Sequence, residues 1–267
     1  MQLKMIKEIH TLISQADGVL ILAGAGMSVD SGLPDFRGAT GMWTEAKEQF
    51  ISLATASGLD KDPVKVWNFY ANRIIKYADV EPHAGYTMLH ELLTDMGKSM
   101  FVVTTNVDGH FHKAGYDPAR IYEMHGSLAH VQCKQPCCRE VSVMPSITKS
   151  FNHVNELPKC EACGDLLRPN VMMFSDPGFV WKQVDQGLAR YQAWCAPMLN
   201  VVGIEIGAGT GIPSLRLFGE EHTAALIRIN PHEAEVLRSS DVAVCATARD
   251  GIAHLLTHQK LRHKKRK

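Results

Sequence analysis

Neither sign of charge is in excess in this chain. Its 28 Lys and Arg face 28 Asp and Glu, so no whole-molecule field draws it to nucleic acid or to an anionic membrane. Also missing is any apolar run near the roughly 18 residues that a membrane span requires. The opening "MQLKMIKEIHTLISQADG" has no hydrophobic block of the secretory kind. Its Leu3, Ile6, Ile9, Leu12 and Ile13 recur instead at helical spacing, which predicts an amphipathic helix. No tandem repeat is evident and nothing reads as disordered, apart from the basic end "KLRHKKRK", read as a solvated tail over 258–267. These absences exclude a repeat architecture and a spanning protein. They predict a soluble, cytoplasmic chain with no membrane partner, and with nucleic acid at most a partner of the tail.

What is present is patterned. Short β-rich runs, "VLILAG", "MFVVTTN", "NVVGIEIGAG", "AALIRIN" and "DVAVCA", alternate with segments of helical periodicity such as "AGYTMLHELLTDMG". That alternation predicts an α/β fold, a Rossmann-like and mostly parallel sheet with helices on both faces. In such sheets ligands collect at the carboxyl ends of the strands. Residues 40–80, helical and aromatic, and 128–169, which hold five of the seven cysteines, break the alternation. Both are read as insertions that form a second, smaller domain. The sheet domain is then discontinuous, over 1–39, 81–127 and 170–257.

The cysteines fall as "CKQPCC" and "CEAC", two pairs about twenty residues apart. Four thiolates at this spacing suit one tetrahedral zinc ion, and a full set of cysteine ligands leaves no position for water, so the metal is expected to be structural. Cys133, Cys160 and Cys163 are three of the ligands. The fourth is Cys137 or its neighbour Cys138, with Pro136 favouring Cys137. Cys195 and Cys245 stand alone and are expected in the core.

In "VLILAGAGMSVDSGLPDFRG" an apolar strand runs into Gly24-Ala25-Gly26, where the backbone can turn tightly against a phosphate. The ordinary dinucleotide fingerprint wants a third glycine at Val29, and the chain offers Gly32 instead. Taken with "TTNVDGHFHKAG", "EMHGSLAHVQC", the two cysteine pairs and "RPNVMMFSD", this stretch resembles the sirtuin (Sir2) family of NAD-dependent protein deacylases. The motifs stand in family order from about residue 5 to 255.

The resemblance implies a site residue by residue. NAD would be the co-substrate, with Gly24, Ala25, Gly26 and Ser28 at its diphosphate and Asp35, Phe36 and Arg37 beside the nicotinamide ribose. Thr105, Asn106 and Asp108 would meet the ribose and carboxamide, Asn106 with a catalytic part. Gly207, Ala208, Gly209 and Thr210 would approach the diphosphate, and Asn230 the adenosine ribose. His125 matches the catalytic base, acting on the ribose hydroxyls after the acyl oxygen of an N-acyl-lysine has displaced nicotinamide. Free lysine and O-acyl-ADP-ribose would be the products. Val171 and Phe174 would line the lysine channel, in a segment that pairs with the peptide as an added strand.

"FYANR" sets Tyr70 and Arg73 on one helix face. It is similar to the Tyr-x-x-Arg pair of the class III sirtuins, which remove succinyl or malonyl groups, where a guanidinium and a phenol hold the distal carboxylate. The chain departs from the family at Thr105, Phe111, Ser175 and Asp176, and in "GAGTGIPS", where many members have Gly-Thr-Ser. That last departure keeps two rivals open: an NAD glycohydrolase or ADP-ribosyltransferase on the same fold, and a non-enzymatic, zinc-stapled binding module.

Overall fold

The structure, a computed structural model, describes residues 3–35 and 52–264, with the side chains of the last helix described as far as Leu256. Helix α1, Leu3–Gln15, buries Ile6, Ile9 and Ile13 as its spacing predicts, and the next helix in the chain, α2, is the single turn Gly26–Val29. Strand β1, Gly18–Ala23, is buried along its whole length, as befits a central parallel strand covered on both faces. Its residues alternate between two cores. Val19, Ile21 and Ala23 join Ile9, Ile13, Leu89, Leu92 and Ile252, while Leu20 and Leu22 join Phe101, Tyr191, Trp194 and Leu215 on the opposite face.

Strands β2 (Ser99–Thr104), β3 (Ile121–Glu123), β7 (Val201–Ile206), β8 (Ala225–Ile229) and β9 (Val242–Val244) complete a six-stranded sheet. Its order is β3-β2-β1-β7-β8-β9 and every pair is parallel. This is the order of a doubly wound dinucleotide fold, and the direction of winding reverses between β1 and β7. The crevice at their carboxyl ends is where such a sheet holds a ligand. All five strands foreseen in the sequence lie in this sheet; β3, three residues long, is the addition.

Strands β4 (Gly126–Cys133), β5 (Val141–Val143) and β6 (Leu167–Val171) make a separate antiparallel sheet, with an irregularity in register between Ser127 and Val131. Two helices from the earlier insertion, α3 (Ala56–Lys61) and α4 (Pro63–Asp79), share a core with it. Leu59, Val66, Trp67 and Tyr70 pack with Leu128, Val131, Leu157 and Val171. Helix α4 starts where Asp62 accepts from the Lys65 amide and Pro63 fills the first turn. Its other end is held by Lys113, whose ammonium donates to the carbonyls of Tyr77, Ala78 and Val80 at 2.8, 2.8 and 3.1 Å. Among the described residues no helix is long and apolar enough to cross a membrane.

Candidate functional site

The turns after β1 and β7 close on each other. A Cβ on Gly26 would lie 2.7 Å from the Gly207 Cα, and one on Gly207, which has φ +63°, would lie 2.4 Å from Gly26. Only residues without a side chain permit that approach. The Gly24 amide donates to Ile206 and the Gly26 amide to Gly207, both at 3.0 Å, while the Met27 and Ser28 amides donate to Gly24 and Ala25. Amides that the sequence offers to a diphosphate are thus in part taken up by the turn itself.

Side chains gather at the first end of the crevice. Ser28, 3% exposed, donates its one hydroxyl proton to Asp108 Oδ2 at 2.6 Å. Its oxygen must then accept from the Tyr86 phenol at 3.0 Å and from Asn106 Nδ2 at 3.2 Å. Asn106 Nδ2 also donates to the Gly24 carbonyl at 3.0 Å, and the His110 amide donates to Asp108 Oδ1 at 3.0 Å. Burial, and then the Asp108 charge, hold the Tyr86 phenol well above its ordinary pKa. Tyr86 is a member of this network that the motifs did not supply. Its only sequence signal is a position on an amphipathic helix, Ala84–Asp95 (α5).

His125 sits in the turn between β3 and β4. Gly126 makes the turn possible: at φ +74°, a Cβ there would lie 2.0 Å from the Asn170 carbonyl. Burial lowers the His125 pKa below the usual 6.5, opposed by a hydrogen bond to the Thr105 backbone. The ring is therefore neutral at pH 7, with one N–H directed to Thr105 and the other nitrogen left as a proton acceptor. The Thr105 amide in turn donates to the Ala23 carbonyl at 3.2 Å, which ties this support to β1. Asp35 ends the first described stretch, and Phe36 and Arg37 lie outside the described residues.

The other end of the crevice is built differently. The Ala208 carbonyl accepts from Arg216 Nε and Nη2 at 3.1 and 3.0 Å and from Asn230 Nδ2 at 3.0 Å. Asn230 Oδ1 accepts from the amides of His232 and Glu233. The Thr210 amide and hydroxyl both donate to the Glu233 carboxylate at 2.8 Å, and a Cβ on Gly209 would meet only that carboxylate, at 3.8 Å. Beneath lies Glu205, fully buried on β7. Its two oxygens accept from Arg228 at 2.6 and 3.0 Å, and Arg228 reaches Glu220 at 2.9 Å. Asn230 and Thr210, expected to face the cofactor, thus direct much of their hydrogen bonding into the protein.

On α4, Tyr70 is 4% exposed and burial raises its pKa to about 12. Arg73 lies 3.6 Å over the Phe69 ring and donates to the Phe69 carbonyl at 2.9 Å. Burial lowers its pKa, and the neighbouring phenols of Tyr77 and Tyr70 support its charge. Val171 packs in the same core as Tyr70. Phe174, 37% exposed, donates its amide to Ala54 at 2.8 Å and bridges Thr55 in parallel. The Met172 amide goes to His125 at 2.9 Å, so this segment pairs along part of its length with its own chain. Ser175, where the family has glycine, has φ +50°. Asp176 steadies that turn, accepting from the Met173 amide at 3.1 Å and from the buried Arg168 at 2.8 Å.

Cys133, Cys137, Cys160 and Cys163 place their sulfurs within 4.8 Å of one another. The Cys133–Cys163 and Cys137–Cys160 separations are 3.6 and 3.7 Å. A tetrahedral zinc–thiolate centre with bonds of about 2.3 Å requires roughly 3.8 Å between sulfurs, so the donor set fits one zinc ion with no position left for water. Cys137 rather than Cys138 completes the set. Cys195 is half-buried and Cys245 is exposed, so neither is the core residue expected.

The Sir2 family profile matches residues 24–193. An NAD-dependent protein deacylase of Thermococcus kodakarensis is 37% identical over 62% of this chain and 63% of its own length, so that match spans less than two thirds of the relative. NAD-dependent protein deacylase 1 of Archaeoglobus fulgidus is 31% identical over 92% of this chain and 94% of its own. The mitochondrial NAD-dependent protein deacylase sirtuin-5 of Canis lupus familiaris is 33% identical over 68% and 64%. Among solved structures, a Sir2 homologue variant in complex with ADP-ribose superposes with a TM-score of 0.76 at 28% identity, over 99% of this chain and 98% of that one. Glycine turns at a parallel-sheet switch point, a neutral histidine beside an Asn–Ser–Asp network, four convergent thiolates and these matches lead to one conclusion: the chain belongs to the Sir2 family.

Proposed function

We propose that this chain is an NAD-dependent protein-lysine deacylase that favours acyl groups ending in a carboxylate, succinyl or malonyl before acetyl. The observation that carries the acyl preference is the half-buried guanidinium of Arg73 on α4, stacked 3.6 Å over Phe69 and one helix turn beyond Tyr70, which shares a core with Val171. A guanidinium offers a carboxylate two charge-assisted hydrogen bonds in a fixed fork, which a succinyl or malonyl group can accept at its distal end and an acetyl methyl cannot. The names of the relatives support the deacylase activity, and the sirtuin-5 match supports the acidic preference.

NAD supplies a ribose carbon from which nicotinamide leaves. The protein's part is to orient and to move protons. Asn106 and Asp108, braced by Ser28 and Tyr86, hold the nicotinamide end in one geometry. His125, neutral and anchored to Thr105, takes a proton from a ribose hydroxyl at its free nitrogen. Gly24, Ala25, Gly26 and the 207–210 turn would bring backbone close to the diphosphate, and Asn230 would serve the adenosine ribose. Val171 and Phe174 bound the lysine channel, and Tyr70 and Arg73 read its far end.

The shared core of α4 and the three-stranded sheet supports a division into a discontinuous sheet domain over 1–39, 81–127 and 170–257 and a small domain from 40–80 and 128–169. One zinc ion would staple the latter.

Steady-state kinetics on matched acetyl- and succinyl-lysine peptides tests the acyl preference. The expected result is a higher kcat/KM on the succinyl peptide that falls about a hundredfold in Arg73→Met, the loss of a charge-assisted pair. Equal use of both peptides, unmoved by that substitution, would contradict it.

A further inference from the structure

The Tyr-x-x-Arg pattern leaves a third polar side chain on α4 without a role. Tyr70, Arg73 and Tyr77 stand at i, i+3 and i+7, one stripe of the helix. Along that stripe one phenol stands a turn before the arginine and the other a turn after it, and burial, the main influence on the guanidinium, is opposed first by Tyr77. Their settings differ. Tyr70 is 4% exposed and part of the core, whereas Tyr77 is partly buried against the edge of that core, as is Val107. Val107 lies between Asn106 and Asp108, and the Tyr77 phenol also feels the Asp108 charge. Lys113 fixes this end of the helix to the cofactor loop through the Tyr77 carbonyl itself, at 2.8 Å. Tyr77 therefore stands between the arginine that would meet an acyl carboxylate and the loop that would meet nicotinamide.

We propose that Tyr77 is a third specificity-determining residue of the acyl site, whose hydroxyl donates to the distal carboxylate beside Arg73. The inference rests on the acidic-acyl reading above. A carboxylate offers four lone-pair directions; a guanidinium edge fills two, and two phenols on either side of it fill the rest. An acetyl group has no atom to meet either hydroxyl. With Tyr77 held by Lys113, the third donor is set in place by the cofactor loop and not by the helix alone.

The test is the ratio of kcat/KM for succinyl- over acetyl-lysine peptide in wild type, Arg73→Met and Tyr77→Phe, which keeps the ring and its packing. Loss of one hydrogen bond to a charged group is expected to lower the ratio about tenfold in Tyr77→Phe, mainly through KM of the succinyl peptide. Tyr77→Met, which fills the same apolar gap without a hydroxyl, should do the same, and thermal melting checks that both variants are folded. A ratio that collapses in Arg73→Met and stays at the wild-type value in both Tyr77 variants would overturn the role of Tyr77 and leave the acidic-acyl reading standing. A wild-type ratio near one would overturn that reading, and the role of Tyr77 with it.

Discussion

The two ends of the crevice have opposite constructions. At one end the side chains of Ser28, Asn106 and Asp108 are joined by bonds of 2.6 to 3.2 Å, and His125 is held on the neighbouring Thr105 backbone. At the other, Ala208, Thr210 and Asn230 turn their polar atoms toward Arg216, Glu233 and backbone, over the buried Glu205–Arg228 pair. One end is arranged for proton transfer and the other for holding a backbone turn in place. The difference teaches that a motif residue can serve a cofactor either by touching it or by fixing the loop that does, and substitutions distinguish the two.

The largest effect is expected at His125. Removal of a general base costs about a hundred- to ten-thousandfold, so His125→Ala should lower kcat by about a thousandfold with an unaltered melting temperature. A kcat within tenfold of wild type would move the proton transfer elsewhere. The second end should show the reverse pattern. Glu205→Gln leaves Arg228 buried with Glu220 as its remaining acid, and breaking such a pair costs about 3–5 kcal/mol of stability. Urea denaturation should record that loss, whereas a shift of less than about 1 kcal/mol would show that the network tolerates a neutral partner. Ser28→Ala should lower kcat/KM for NAD about tenfold, since Asn106 and Asp108 lose their common partner. The smallest effect is expected of Thr210→Val, which removes one of two bonds to Glu233: a rise of about twofold in KM for NAD.

The pH profile sharpens the comparison further. Burial depresses the His125 pKa, so the base is protonated and idle only below its lowered value. Activity should rise with pH through a midpoint below 6.5 and be flat above it. Glu205→Gln should leave that midpoint in place, because the two ends are linked by backbone and not by shared protons.

Much of this was legible in the sequence where one residue type has one physical use. Short apolar runs located five of the six strands of the parallel sheet, because a buried parallel strand admits mostly aliphatic side chains. Cysteine pairs at zinc spacing located the four thiolates. The small sheet was not legible as strands: β4 carries an irregular register and β5 is three residues long. Tyr86 and Glu233 were invisible for another reason. Each becomes polar architecture only through partners 58 and 23 residues away, and no local pattern records such a distance. Asn230 and Thr210 carried a motif, yet which way their donors point is decided by Ala208 and Glu233.

The most direct test is mass spectrometry of the products formed from NAD and a succinyl-lysine peptide by wild type and by His125→Ala. The account predicts free lysine peptide, nicotinamide and O-succinyl-ADP-ribose in equal amounts from the wild type, and loss of the peptide product in the variant. Nicotinamide with ADP-ribose alone, the peptide still acylated, would contradict it and assign the crevice to NAD hydrolysis.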